Sequence, residues 1–401
     1  MKYLVVSGLT VVTLFIYILW HHPKAELSVA EFLEQHWRYP LEAQGTPPET
    51  LNVLEASLAP ESCGVCHTEQ YRLWSESHHS HTMGSGILWQ LQMMDAKHSR
   101  ECLKCHAPLT EQFALLAQER GWSRTSDKPP DYIPMDLHLK GLVCAACHLR
   151  QHQRFGPPAS KTEVNREIHG GFIEHKAFSD SLFCATCHQF PEDGPRLNGK
   201  LREDTYNQWR VSRYGEEGKE CQSCHMPQLR HEWKGIHDEQ MTRSAMSVVI
   251  ETLPESEDGL RVLARVTNSG AGHHLPTYLV PELELLLELV SPIGSVRELA
   301  RHTLAWRADL ALAREAFDQR LPAGESVTLD GLATQQDGVV RLRVKVSPRH
   351  QYLVTFIDYL QNNRKNLNPT TRKLLVQAIQ EARAAEYEFI AAEYPLAGIA
   401  N

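Results

Sequence analysis

Cys63-Gly64-Val65-Cys66-His67, Cys102-Leu103-Lys104-Cys105-His106, Cys144-Ala145-Ala146-Cys147-His148, Cys184-Ala185-Thr186-Cys187-His188 and Cys221-Gln222-Ser223-Cys224-His225 repeat one pattern, and together they use all ten cysteines. Thiols three residues apart on one helical turn can each add to one of the two vinyl groups of a single porphyrin, and the adjacent His then reaches the iron. The pattern reads as c-type haem attachment. Structural zinc would take such pairs two by two, leaving a fifth pair over and giving His no reason to follow the second Cys every time. A disulfide framework suits an even cysteine count in an oxidising compartment, but it too ignores the five histidines. The expected cofactors are therefore five covalently bound haem c groups, each held from one side by His67, His106, His148, His188 or His225.

The first Cys of each copy falls at 63, 102, 144, 184 and 221, which is a near-regular internal repeat. Around it, residues 61–240 are rich in Cys and His, poor in β-branched runs and broken by Gly and Pro, as at Phe155-Gly156-Pro157-Pro158 and Asp193-Gly194-Pro195. Such a chain has little apolar core of its own. Stacked porphyrins are expected to supply it, with short helices and loops wrapped round them.

Beyond Met241 apolar and polar residues alternate, as in Leu260-Arg261-Val262-Leu263-Ala264-Arg265-Val266 and Val340-Arg341-Leu342-Arg343-Val344-Lys345-Val346. That period predicts half-buried strands, and a small antiparallel β-sandwich over 241–360. Pro322-Ala323-Gly324-Glu325 reads as a turn before a strand from Val327 to Leu329, while Val296 to Phe317 admits a helix or an insertion. A C-terminal helix is expected within 361–401, opening at Asn368-Pro369-Thr370 and carrying Leu374, Leu375, Ala378, Ile379, Ala382, Phe389 and Ile390. The fold class is thus a multihaem cytochrome c fold, followed by the sandwich and that helix.

At the other end, Tyr3 to Trp20 is an almost unbroken apolar run behind Met1 and Lys2. It is long enough to span a bilayer and longer than the apolar region of a cleaved signal, and His21-His22-Pro23-Lys24-Ala25 lacks a small-x-small site. Residues 1–22 are therefore expected to anchor the chain in the cytoplasmic membrane, ahead of the alternative of a signal removed after Ala25, and either reading puts the bulk of the chain in the periplasm. Residues 23–60 follow as a short helix capped by Ser28, running through Phe32, Leu33 and Trp37 towards Pro40, and a Pro-rich linker. A net charge of -8 without any basic block excludes nucleic acid as a partner.

Several segments resemble the multihaem cytochromes related to the tetrahaem electron acceptor of hydroxylamine oxidoreductase. Trp74-Ser75-Glu76-Ser77-His78-His79 is similar to the family's WxxSxH, and the resemblance implies His79 as an iron ligand, with His78 and His81 as neighbouring rivals. Cys105-His106-Ala107-Pro108, Gly141-Leu142-Val143-Cys144, Ser181-Leu182-Phe183-Cys184 and Cys224-His225-Met226-Pro227 are similar to the flanks of the later motifs. Asn268-Ser269-Gly270-Ala271-Gly272-His273-His274-Leu275-Pro276-Thr277 resembles the family's NxGAGHxxPTG, which implies that His273 reaches out of the β domain to an iron. Tyr278 stands where the family has Gly, and Arg320-Leu321-Pro322-Ala323-Gly324-Glu325-Ser326 extends the likeness. His175, and His231 or His237, resemble further family ligands; His98, His138 and His169 complete the set of candidates for the second side of the irons. The family likeness also implies haem pairs that stack in parallel or meet at an angle, with bis-His ligation and low potentials.

A catalytic haem needs an open iron position. Histidines are numerous enough to close all five, and no motif ends in Lys, so the expected role is electron transfer between redox proteins or from a quinol-linked respiratory complex. The alternatives are a multihaem oxidoreductase acting on a small nitrogen or sulfur compound at one open haem, and a haem-bearing subunit of a larger respiratory complex.

Overall fold

The computed structural model describes residues 27–123, 128–158, 169, 171–256, 259–333 and 338–396. The expected anchor, residues 1–22, lies outside them. Among the described residues no helix is long and apolar enough to cross a membrane.

Ser28 caps the first helix, Val29–His36, by accepting from Glu31 N while the Glu31 carboxylate returns to the Ser28 backbone, and Phe32 and His36 turn inward. Through residues 60–240 the helices stay short because Gly, Pro and the motifs themselves interrupt every apolar period. Ala96–His106 and Ser181–His188 each end on a motif His, and Cys144–His148 and Cys221–His225 are single turns made of the motif alone. The first motif closes Pro60–Gly64, and its His67 caps the start of Thr68–Glu76. Each cysteine pair therefore sits on one turn, as the vinyl spacing requires.

Among the described residues the β domain has eight strands: β1 (Ser247–Ser256), β2 (Gly259–Thr267), β3 (Glu282–Val290), β4 (Val296–Ala308), β5 (Glu315–Asp318), β6 (Ser326–Ala333), β7 (Gly338–Ser347) and β8 (Tyr387–Leu396). They form two antiparallel sheets, of order β5-β4-β3-β7-β8 and β6-β2-β1. Val262, Ala264 and Val266 of β2 meet Leu283, Leu285 and Leu287 of β3 and Val340, Leu342 and Val344 of β7 in one core, all of them fully buried. The register sets Leu287 opposite Leu342 and Leu285 opposite Val344, so inward residues of neighbouring strands share a face. Gly324, at φ +81°, makes the turn into β6.

Two expectations need correcting. Val296 to Phe317 is neither helix nor insertion: it forms β4 and β5, and its many charges are satisfied sideways, Arg301 bonding Glu284 on β3 and Glu298 on its own strand. The C-terminal helix begins where expected, Asn368 accepting from Thr371 N, but it ends at Ala384. Phe389 and Ile390 belong to β8, which closes the five-stranded sheet beside β7. An additional helix, His350–Asn363, precedes it. Phe356 of that helix and Leu375 and Ile379 of the next pack on Trp89, so the C-terminal helices bind the β domain back onto the haem-motif region.

Candidate haem sites

All ten cysteines are free thiols. Among the described residues no three His, Cys, Asp or Glu side chains converge as a metal cluster. Thiols of different motifs instead lie against one another: Cys63 with Cys144, Cys105 with Cys187, and Cys184 with Cys221. Cys147 is also within electrostatic reach of Cys184 and Cys187. The fourth motif therefore neighbours the second, the third and the fifth.

Four motif histidines each face a second His ring. The ring centroids of His67 and His169 are 6.3 Å apart, those of His188 and His79 6.4 Å, those of His148 and His231 6.1 Å, and those of His225 and His273 6.3 Å. An iron between two imidazoles, with roughly 2 Å to each nitrogen and about 1 Å more to each ring centre, requires a separation of about 6 Å. The donor set fits the group that the motifs imply. His106 has no such ring opposite it among the described residues.

Hydrogen bonds fix how these rings present themselves. Nδ1 donates to a backbone carbonyl in His106 (Thr82, 2.7 Å), His148 (Phe155, 2.7 Å), His225 (Lys234, 2.6 Å), His231 (Leu229, 2.9 Å) and His273 (His274, 2.9 Å). That leaves the Nε2 lone pair for a metal and locks the plane of the ring. Burial holds His79 down to about 3, and His148 and His273 to about 4, so these rings are neutral, as ligation requires.

The segments singled out in the sequence position these rings by bonding to one another. Trp74 Nε1 donates to the Leu142 carbonyl at 2.8 Å, and Leu142 N donates to the His79 carbonyl at 2.9 Å, so the loop bearing His79 is latched to the leader of the third motif. A Cβ on Gly141, at φ +69°, would lie 2.7 Å from the His79 carbonyl oxygen, so only glycine permits the latch. Asn268 Nδ2 donates to the carbonyls of His273 (2.8 Å) and Leu321 (2.9 Å), and Leu275 and Leu321 exchange backbone bonds. Gln208 accepts from His274 N at 3.0 Å, pulling the loop towards the haem-motif region. Position 270 is confined to glycine as well, since a Cβ there would lie 2.0 Å from the Ser244 carbonyl oxygen.

Of the eight candidates for the second ligand, His79, His231 and His273 are among those that face a motif His. His175 does not, because Nε2 donates to the Leu27 carbonyl and Nδ1 accepts from Ala177 N, leaving neither nitrogen free. His98 is exposed and bonded to Asp95, and His138 is buried against Glu119 at 2.6 Å. His237 lies tilted against His78 and not against a motif ring. His169 takes the fourth place. It is held at φ +64°, a conformation no local sequence rule assigns to a histidine, and its imidazole lies 3.5 Å from the Glu55 carboxylate.

The family model for cytochrome c554 and c-prime matches residues 62–128, a minority of the chain. No curated protein matches. Among solved structures, a penta-heme cytochrome c552 from Thermochromatium tepidum is 18% identical, with a TM-score of 0.57, over 85% of this chain and 99% of that one. The putative ApaA protein from Bordetella pertussis is 14% identical over 39% of this chain and 94% of its own, but at a TM-score of 0.20 it carries no argument. What the first two likenesses carry, together with the five motifs, is a fold for covalently bound haem c, and that fold is the one of a multihaem c-type cytochrome.

Proposed function

We propose that the chain is an anchored periplasmic pentahaem cytochrome that carries electrons between redox partners, with four bis-His irons and one bound from a single side. The spacing of the ring pairs is the observation that supports this reading. It assigns His67 with His169, His148 with His231, His188 with His79 and His225 with His273, and leaves His106 alone at the second haem. Haem would supply one-electron chemistry; the chain orients the rings and, at His79, His148 and His273, holds them neutral by burial.

The thiol contacts support a branched path in place of a simple row. The first haem would pass electrons to the third and the third to the fourth, from which the second and the fifth both lie within reach. Cys66 and Cys224 are the two exposed cysteines, so the first and fifth haems are the ends at which a redox protein or a quinol-linked complex would exchange electrons. The unpartnered His106 favours a second reading, in which the second haem is a terminus that reacts with a small nitrogen or sulfur compound. Tyr3 to Trp20 would hold the molecule at the cytoplasmic membrane.

Two experiments test the reading. Full-length protein is expected to need detergent for extraction, and a soluble mature form starting at or after Glu26 would remove the anchor. Turnover of nitrite, hydroxylamine or tetrathionate at enzymatic rates would replace the carrier by the second reading, whereas electron exchange with a partner and no such turnover supports the carrier.

A further inference from the structure

Six side chains from five separate segments gather beside the second attachment motif, and none belongs to the four ring pairs. His78 and His237 put their ring centroids 3.9 Å apart at 46°. Arg349, immediately before the helix His350–Asn363, lies within electrostatic reach of both, and of Tyr278 and Tyr352. Tyr352 in turn reaches Cys102, and Glu203 reaches Cys105, the two thiols of the second motif. Hydrogen bonds position these segments. Gln351 N donates to the Val280 carbonyl at 3.0 Å, tying the loop of Tyr278 to the start of the helix, and the Tyr387 hydroxyl donates to the Ile236 carbonyl at 2.8 Å beside His237. Arg349 keeps an ion pair with Glu381 at 4.0 Å, too long to satisfy its five N–H donors.

The chemistry of the set is one-sided. A guanidinium and two phenols donate, and each imidazole donates at least one N–H in either protonation state. Burial pushes Glu203 up to about 8, so near neutral pH its carboxyl is largely protonated and donates as well. Arg349 is then the permanent charge, and a cation surrounded by donors selects an anion with several acceptor oxygens. We propose that Arg349, Tyr278, Tyr352, Glu203 and the His78–His237 pair form a binding site for a small oxyanion beside the second haem. The proposal rests on the reading of that haem as bound from one side only, and gives that open position its ligand class.

The test uses the intact holoprotein and reads spectra, not turnover. Nitrite and, separately, sulfite are titrated while the high-spin signal is followed by electron paramagnetic resonance and visible absorption. At least one probe is expected to perturb that signal saturably and leave the low-spin signals alone. Arg349→Gln is expected to weaken binding about tenfold or more, and Tyr278→Phe about threefold, as loss of a charged and of a neutral hydrogen bond respectively should do. The unchanged low-spin signals report that each variant is folded, and Tyr278→Phe, which keeps its ring, tests the site if Arg349→Gln does not fold. A high-spin signal that neither probe changes, or equal affinity in wild type and variants, overturns the proposal alone. Wild-type protein without any high-spin haem overturns the one-sided reading and the proposal with it.

Discussion

The haem-motif region and the β domain solve the problem of burial in opposite ways. In the β domain long strands alternate in and out, and residues such as Leu285, Leu342 and Trp306 are fully buried among protein atoms. In the motif region the helices are short and the apolar clusters small and scattered, and the side chains that face one another across each pair are histidines. The difference teaches where a missing core would lie: on the proposed reading, porphyrin surface would do for one half what leucine and valine do for the other. The two halves also depend on each other, since His273 leaves the β domain to face His225.

The most drastic way to break the comparison is to prevent haem attachment. With all ten cysteines changed to Ser, residues 60–240 are expected to be cut rapidly by protease while the β domain stays protected. Equal protection of both halves would show that the motif region has an adequate core of its own. A smaller perturbation exchanges the roles. Leu342→Ala opens the β core and is expected to cost about 2–5 kcal/mol in denaturant unfolding of that domain, with the haem spectra unchanged until it unfolds. A loss of haem signal at low denaturant would mean that the halves share one core.

A third test is smaller again. Glu288 is buried; burial alone would raise its carboxyl, but Arg343 and Arg341 hold it below its ordinary value of 4.5. A depressed folded value means that its contribution is complete above the unfolded value and is lost as pH falls through the folded one. The β domain should therefore lose stability below about pH 4.5, and Glu288→Gln should flatten that part of the pH profile, at a general cost from leaving two arginines without their partner. An unchanged acid limb in the variant would remove Glu288 from the account.

Much of this was legible in the residues because the constraints are local. Two thiols on one turn and a neighbouring His specify attachment without reference to anything distant, and the period of two in Leu260–Val266 and Val340–Val346 specifies strands. Ser28 and Asn368 announced their helices by capping chemistry. What sequence could not supply were the pairings made across the fold. His169 faces His67 from about a hundred residues away, held at a positive φ that nothing nearby demands. His175, which the family resemblance favoured over His169, has both nitrogens engaged by backbone, a fact no local pattern shows. The strand at Tyr387–Leu396 was hidden because Phe389 and Ile390 also fit a helical period when the helix is extended past Ala384. The cluster round Arg349 comes from five segments and leaves no linear signature.

The central claim is that His67, His148, His188 and His225 share their irons with His169, His231, His79 and His273, and that His106 does not share. Electron paramagnetic resonance of the oxidised holoprotein counts this directly, because a haem with two His ligands is low-spin and one with a single His is high-spin. The account expects four low-spin haems and one high-spin in the wild type. Either His169→Ala or His273→Ala is expected to give a second high-spin haem, and His274→Ala none. Five low-spin haems in the wild type, or an unchanged count in a folded His169→Ala protein, would contradict it.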